Sequence, residues 1–188
     1  KPTLSNIHQQ HSIVSISFFS LFMAQEEEVL AVRSFLEENY PSCHKLINGN
    51  DELWKKLNDG DGYTFFVPGE QAFEQLGAQK LGQLEDVRNK ETTNKIGEYH
   101  CISETVTFED LFNAGGVITL GGDIVVDRST SGGLFGVGGE EDGGVLVNGA
   151  KVTQSFEMGS GVVYEVDKLV NPNIMWRYMD QLRIPGSK

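Results

Sequence analysis

The stretch Tyr63–Leu76, YTFFVPGEQAFEQL, sets the tightest limits on what this chain can fold into. Tyr63-Thr64-Phe65-Phe66-Val67 is a short run of aromatic and β-branched residues, the composition of a buried pleated strand. Pro68-Gly69 ends it, because proline cannot donate to a ladder and glycine permits a tight turn. Glu70 to Leu76 continues with helix formers, an acid in the first turn, and Phe73 and Leu76 three residues apart. A strand, a tight turn and a helix with aromatic anchors on both sides call for a mixed core around them.

The rest of the composition narrows the class. A chain of 188 residues is long enough for one domain with a substantial core. Its 27 acids outnumber 15 bases, for a net charge of −12. A nucleic-acid binder would carry a basic footprint, and anionic lipid would repel such a surface. Cys43 and Cys101 have no metal-ligand spacing; a single bridge and two buried thiols both fit the sequence. The absence of any Asn-x-Ser/Thr sequon weighs against a heavily glycosylated secreted protein.

Along the chain, Ile13–Ala24 is a nearly uncharged run, IVSISFFSLFMA, shorter than the roughly 20 residues a spanning helix needs. No transmembrane helix is expected. Residues 1–25 read either as a targeting remnant or as an arm that packs on its own domain or a partner. Glu26-Glu27-Glu28 is expected to open a helix that Pro41 stops, with Val29, Val32 and Leu36 on one face. A second helical stretch, Ser42 to Asp59, carries a break near Asn48-Gly49-Asn50. After another short helix, Arg88–Lys95 reads as a polar loop leading into a further short helix with Ile96, and Tyr99–Ile102 as a strand. Thr107 with Asp110 looks like a capping box. Beyond it, Val117–Leu120, Ile124–Val126, Val145–Val147, Lys151–Gln154 and Val162–Val166 are short strands between turn residues. Ser131–Gly144 reads as a long Gly-rich loop, and the segment after Asn173 as a short amphipathic helix. Helices crowd the first half and strands the second, the α+β pattern.

Three blocks in this order resemble the fasciclin-like (FAS1) domain family. Thr64, Phe66, Pro68, Ala72 and Phe73 match its first signature, "T-x-F-x-P-x-x-x-A-F"; Tyr99-His100 is similar to its "YH" motif; Gly161–Pro172 is similar to its closing signature, with Asp167-Lys168 as the Asp-Lys pair. Val147-Asn148-Gly149 resembles the hairpin that precedes that block. Gly69 and Glu70 depart from the Thr and Asn/Asp usual after the proline. The resemblance implies a β-sandwich wedge with helices packed along one edge, spanning residues 26–172. An N-terminal extension (1–25) and a C-terminal tail (173–188) lie outside it. It also implies a non-enzymatic role in binding or adhesion, with no catalytic residues, no metal and no cofactor.

Two readings of Tyr99-His100 stand side by side: a partner-facing edge, or a buried hydrogen bond joining strand to helix. Thr64, Phe66, Pro68, Ala72, Phe73, Asn148, Gly149, Asp167 and Lys168 are expected to be structural, with Asp167-Lys168 as an ion pair tying down the last strand. His8 and His11 lack a third ligand, and Glu140-Glu141-Asp142 lacks the spaced oxygens of a calcium loop. No Gly-Lys-Ser/Thr follows the glycines, and no nucleophile elbow appears. Large apolar groups at the two ends, Phe18, Phe19, Leu21 and Phe22 on one side and Trp176, Arg177, Tyr178 and Met179 on the other, are candidate partner contacts. The expected partner is another protein, in a membrane-associated assembly outside the cytosol. A plastid or thylakoid lumen or a periplasm suits an extrinsic subunit of a photosynthetic complex. A free extracellular adhesion or matrix protein binding a receptor or polysaccharide is the alternative.

Overall fold

A computed structural model describes residues 23–131 and 140–181. Helix α1 covers residues 23–39 and so begins before the three glutamates, not at them. Its buried side chains, Val29, Val32 and Leu36, recur at helical spacing. Pro41 does more than stop α1: it is the first residue of α2 (Pro41–Asn48), where its missing N–H costs nothing. Asn50 separates α2 from α3 (Asp51–Asn58), its Oδ1 accepting from Leu53 N–H at 3.1 Å.

Strand β1 (Tyr63–Pro68) is buried along its whole length, and α4 (Glu70–Glu74) follows after one residue. Tyr63, Phe65 and Val67 point into a core shared with the helices, while Phe66 points into a second core on the other side of the sheet. The alternation follows from the two-residue period of a pleated strand. Phe66 is fully buried and stacks on Tyr164, ring centroids 5.9 Å apart. Ala72 and Phe73 are buried on the helical side. Thr64 Oγ1 donates to Glu104 O at 2.8 Å and accepts from Val106 N–H at 2.9 Å, so its buried hydroxyl is satisfied both ways.

Helix α5 (Gly77–Glu85) leads through a 3₁₀ turn (Val87–Asn89) into α6 (Lys90–Glu98). The stretch expected as a polar loop is therefore mostly helix. Only Ile96 and Gly97 of α6 are buried, too few for periodicity to show that the helix expected around Ile96 begins at Lys90. The next strand, β2, is only Cys101–Ile102, because Tyr99 caps α6 and His100 makes the turn. Helix α7 (Phe108–Asn113) opens with the Thr107–Asp110 capping box.

Strands β3 (Gly116–Thr119), β4 (Gly122–Ser131), β5 (Glu140–Val147), β6 (Ala150–Met158) and β7 (Gly161–Val166) complete a seven-stranded sheet, and α8 (Ile174–Gln181) ends the described chain. The strand order is β2-β1-β7-β6-β5-β4-β3. Only β1 and β7 are parallel; the other neighbours are antiparallel. Leu120 N–H donates to Cys101 O at 2.8 Å, so the two ends of the sheet nearly meet. Both flanks of the expected loop Ser131–Gly144 are strand instead, with Thr130 opposite Glu141 and Ser131 opposite Glu140. Gly143 takes a positive φ there, and Asp142 Oδ1 accepts from Gly144 N–H at 2.9 Å. Backbone pairing carries these strands past the point where side-chain propensity fades.

Gly161 shows how tightly β1 and β7 fit. It lies opposite Tyr63, and a Cβ at Gly161 would overlap the Tyr63 ring. Tyr63 is itself buried, with its hydroxyl donating to Met158 O at 2.7 Å, so the ring has nowhere to go. Gly161→Ala is expected to destabilise the fold by about 1–3 kcal/mol. That lowers the thermal midpoint by about 2–4 °C per kcal/mol, measurable by calorimetry.

Candidate functional site

Three stretches far apart in the sequence meet around His100. Its ring is completely buried between α6 and the segment after β7. Nδ1 lies 2.8 Å from Ile96 O, and Val170 N–H donates to Nε2 at 3.2 Å. A carbonyl only accepts and a backbone N–H only donates, so Nδ1 carries the proton and Nε2 the lone pair. Burial pushes the ring's pKa down from 6.5 to about 4, against the Ile96 carbonyl, which favours the charged form. Val170 O accepts in turn from Asn148 Nδ2 at 2.7 Å. Asn148 (φ 49°) and Gly149 (φ 80°) form the left-handed pair of the β5–β6 hairpin turn.

The Asp-Lys pair grips the same hairpin. Asp167 Oδ1 accepts from Lys151 N–H at 2.7 Å, and Lys168 Nζ donates to Gly149 O at 3.1 Å. The ion pair expected between Asp167 and Lys168 is not among the ion pairs of the described residues. Each side chain binds hairpin backbone instead, from the bend that follows β7. This convergence is a structural clamp that closes the sheet's middle strands onto α6.

Tyr99 is half-buried at the edge of that clamp. Its ring covers the Gly121-Gly122 turn, where a Cβ at Gly121 would come within 2.6 Å of Tyr99 N. Cys43 and Cys101 are free thiols, both fully buried. Burial pushes Cys43 up to about 12 and Cys101 well above the ordinary thiol value, so neither offers a thiolate. Among the described residues no three His, Cys, Asp or Glu side chains stand together as a metal site.

The outward-facing chemistry lies on the flanking helices. Helix α8 turns Met175, Trp176 and Met179 into the helical core, the cluster that also holds Val32, Leu36 and Trp54. Trp176 and Met179 thus cover the domain's own interior, with Lys80 Nζ 5.0 Å above the Trp176 ring. Arg177 and Tyr178 remain on the surface, and Tyr178 forms an exposed pair with Ile174, one helical turn away. Tyr178 also lines a groove of about 610 Å³ between α3, α6 and α8, walled by Asn50, Asn94, Glu91 and Glu98. Phe18, Phe19, Leu21 and Phe22, like His8 and His11, lie outside the described residues. Sequence reasoning passed over Ile174 as a contact residue, although its spacing from Tyr178 was visible.

The arrangement invites comparison with known proteins. A family model, the fasciclin domain, matches residues 39–172. The chain belongs to the fasciclin domain family. The four signature-like blocks of this fasciclin domain are thus the parts that build β1, the His100 clamp and the β5–β6 hairpin. Its fold is similar to that of a FAS1 domain pair from the insect cell adhesion molecule Fasciclin I. The TM-score is 0.51 at 16% identity, over 69% of this chain and 44% of that one. The chain therefore spans less than half the length of that neighbour, and at this identity the likeness concerns the fold. No curated protein matches the sequence. Helix α1 up to residue 38 and helix α8 lie outside the family match, yet both contribute to the same core.

Proposed function

We propose that this fasciclin domain is a non-enzymatic interaction module that docks onto a larger protein assembly through the exposed face of α8. One observation carries the reading. A helix outside the family match buries one face and leaves Ile174 and Tyr178, 43% and 50% exposed, side by side with Arg177. Aromatic and Arg side chains of this kind are enriched at interface cores. The Tyr99-His100 pair takes an indirect part: His100 holds the domain closed, and Tyr99 offers only its rim. The apolar residues Phe18, Phe19, Leu21 and Phe22 belong to the same proposal as a docking arm.

The specific version is an extrinsic subunit of a membrane-associated complex outside the cytosol, such as a photosynthetic assembly facing a thylakoid lumen or a periplasm. The apolar run Ile13–Ala24 supports it, and the net charge of −12 suits it and the extracellular alternative alike. Among the described residues no helix is long and apolar enough to cross a membrane. A free secreted adhesion protein is the second reading, favoured by the similar fold's source in a cell adhesion molecule.

Gentle extraction from the native source followed by sizing separates the two. The docked subunit is expected to migrate with its assembly, and an Ile174→Asp/Tyr178→Asp variant to run as a folded monomer. A wild-type protein that runs alone favours the secreted reading.

A further inference from the structure

A second face carries different chemistry. Helix α1 and the β6–β7 turn enclose a groove of about 430 Å³. Its floor is apolar and small: Ala24 and Ala31 from α1, and Met158 from β6. Ala24 and Ala31 are seven residues apart, so the floor runs two helical turns, about 10 Å. Exposed Met23 and Leu30 flank it on the outer side of α1, 47% and 61% exposed. Its rim is anionic, with Glu27, Glu28 and Glu157 lining the groove and no Lys or Arg among the lining residues. Glu28 is committed to the turn, where its Oε2 accepts from Ser160 N–H at 2.9 Å and from the Ser160 hydroxyl. Glu27 and Glu157 are exposed. The first base on α1 is Arg33, which points elsewhere, stacking 5.1 Å over Trp54 and hydrogen-bonding Asn48.

We propose that this groove receives a basic amphipathic helix of a partner protein. The carboxylates select for Lys or Arg, whose aliphatic stems suit the apolar floor. A second copy of this chain would bring glutamates onto glutamates, and an anionic lipid surface would be repelled in the same way. β6 pairs with β5 only at Ala150 and Lys151, so its far half keeps an unpaired edge, but two of the three floor residues belong to α1, a surface that suits a helix. The small side chains of Ala24 and Ala31 let a helix approach α1 closely, and Met23 and Leu30 meet its apolar face. This surface is separate from the α8 face and goes beyond the docking proposed there.

The test titrates the full chain into a labelled synthetic peptide with leucines along one helical face and lysines flanking them, followed by fluorescence anisotropy. Saturable binding is expected, weakened at least about tenfold by the double reversal Glu27→Lys/Glu157→Lys. A peptide with glutamates in place of the lysines should not bind. Ala31→Gln, which fills the floor without changing charge, should weaken binding as well, with the thermal midpoint of each variant checked alongside. Glu91→Lys, on the α8 groove, and Ile174→Asp should leave binding unchanged. The proposal is overturned if the lysine peptide does not bind, if it binds the double reversal and Ala31→Gln as well as wild type, or if Glu91→Lys weakens it equally. Loss of docking in the α8 variants with peptide binding intact would keep the two surfaces distinct.

Discussion

Phe66→Ala is expected to destabilise the domain by about 3–5 kcal/mol, the range for emptying a fully buried aromatic site. Phe66 is 0% exposed and packs among Ile102, Leu111, Val145, Val162 and Tyr164 in the core that lies away from most of the helices. That core is walled by strands on several sides, and paired strands cannot close into the space a phenyl ring leaves. Domains of this size are stable by only about 5–15 kcal/mol, so a large part of the margin would go. Urea denaturation measures it: the midpoint should fall with the slope unchanged. A loss below about 1 kcal/mol would mean that the site collapses freely and that this second core is not rigid.

The second large effect is a loss of stability in acid that originates at His100. In the unfolded chain this histidine titrates near 6.5, and in the fold at about 4. Between those values the unfolded state binds the extra proton, so stability is complete above about pH 6.5 and falls as the pH drops toward 4. Below that, both states are protonated and the effect levels off. The gap corresponds to about 3 kcal/mol. The geometry explains why the proton is resisted. A protonated Nε2 would point a donor at the Val170 N–H, turning a hydrogen bond into a repulsion. Denaturation of wild type and His100→Gln at pH 7.5 and pH 4.5 isolates the contribution, because carboxylate titration is common to both. Equal acid sensitivity in the two proteins would refute the assignment to His100.

Much of the fold was legible along the chain because local rules and tertiary packing agree there. Alternation of Phe65 and Phe66 across β1, the Asn148-Gly149 turn and the Thr107–Asp110 cap are each dictated within a few residues. Where the two levels part, the sequence reading missed. The helix around Ile96 begins earlier than its sequence suggests: residues 90–95 look too polar because they bury so little, and α6 is held by its contacts with α2 and α8. The first part of β5, residues 140–144, looks like a loop because its glycines and acids have low strand propensity, yet pairing with β4 extends the expected strand Val145–Val147 back through it. The acids of α1 were read as dipole partners. Of these acids only Glu27 lies opposite Val29, Val32 and Leu36 on the helix and stays exposed, and nothing in the sequence announces Glu157 across the groove.

The sequence alone determined the class of the molecule: its charge, its two-period and 3.6-period segments, and the signatures of a fasciclin domain. These are properties of short windows, and short windows obey steric and solvation rules that need no distant neighbour. Only the tertiary structure decided that the Tyr99-His100, Asn148-Gly149 and Asp167-Lys168 signatures form one clamp, and which side of α8 faces solvent. Those outcomes depend on contacts between residues as far apart as His100 and Val170, or Gln83 and Asp180, and no local pattern encodes which atoms such a closure brings together.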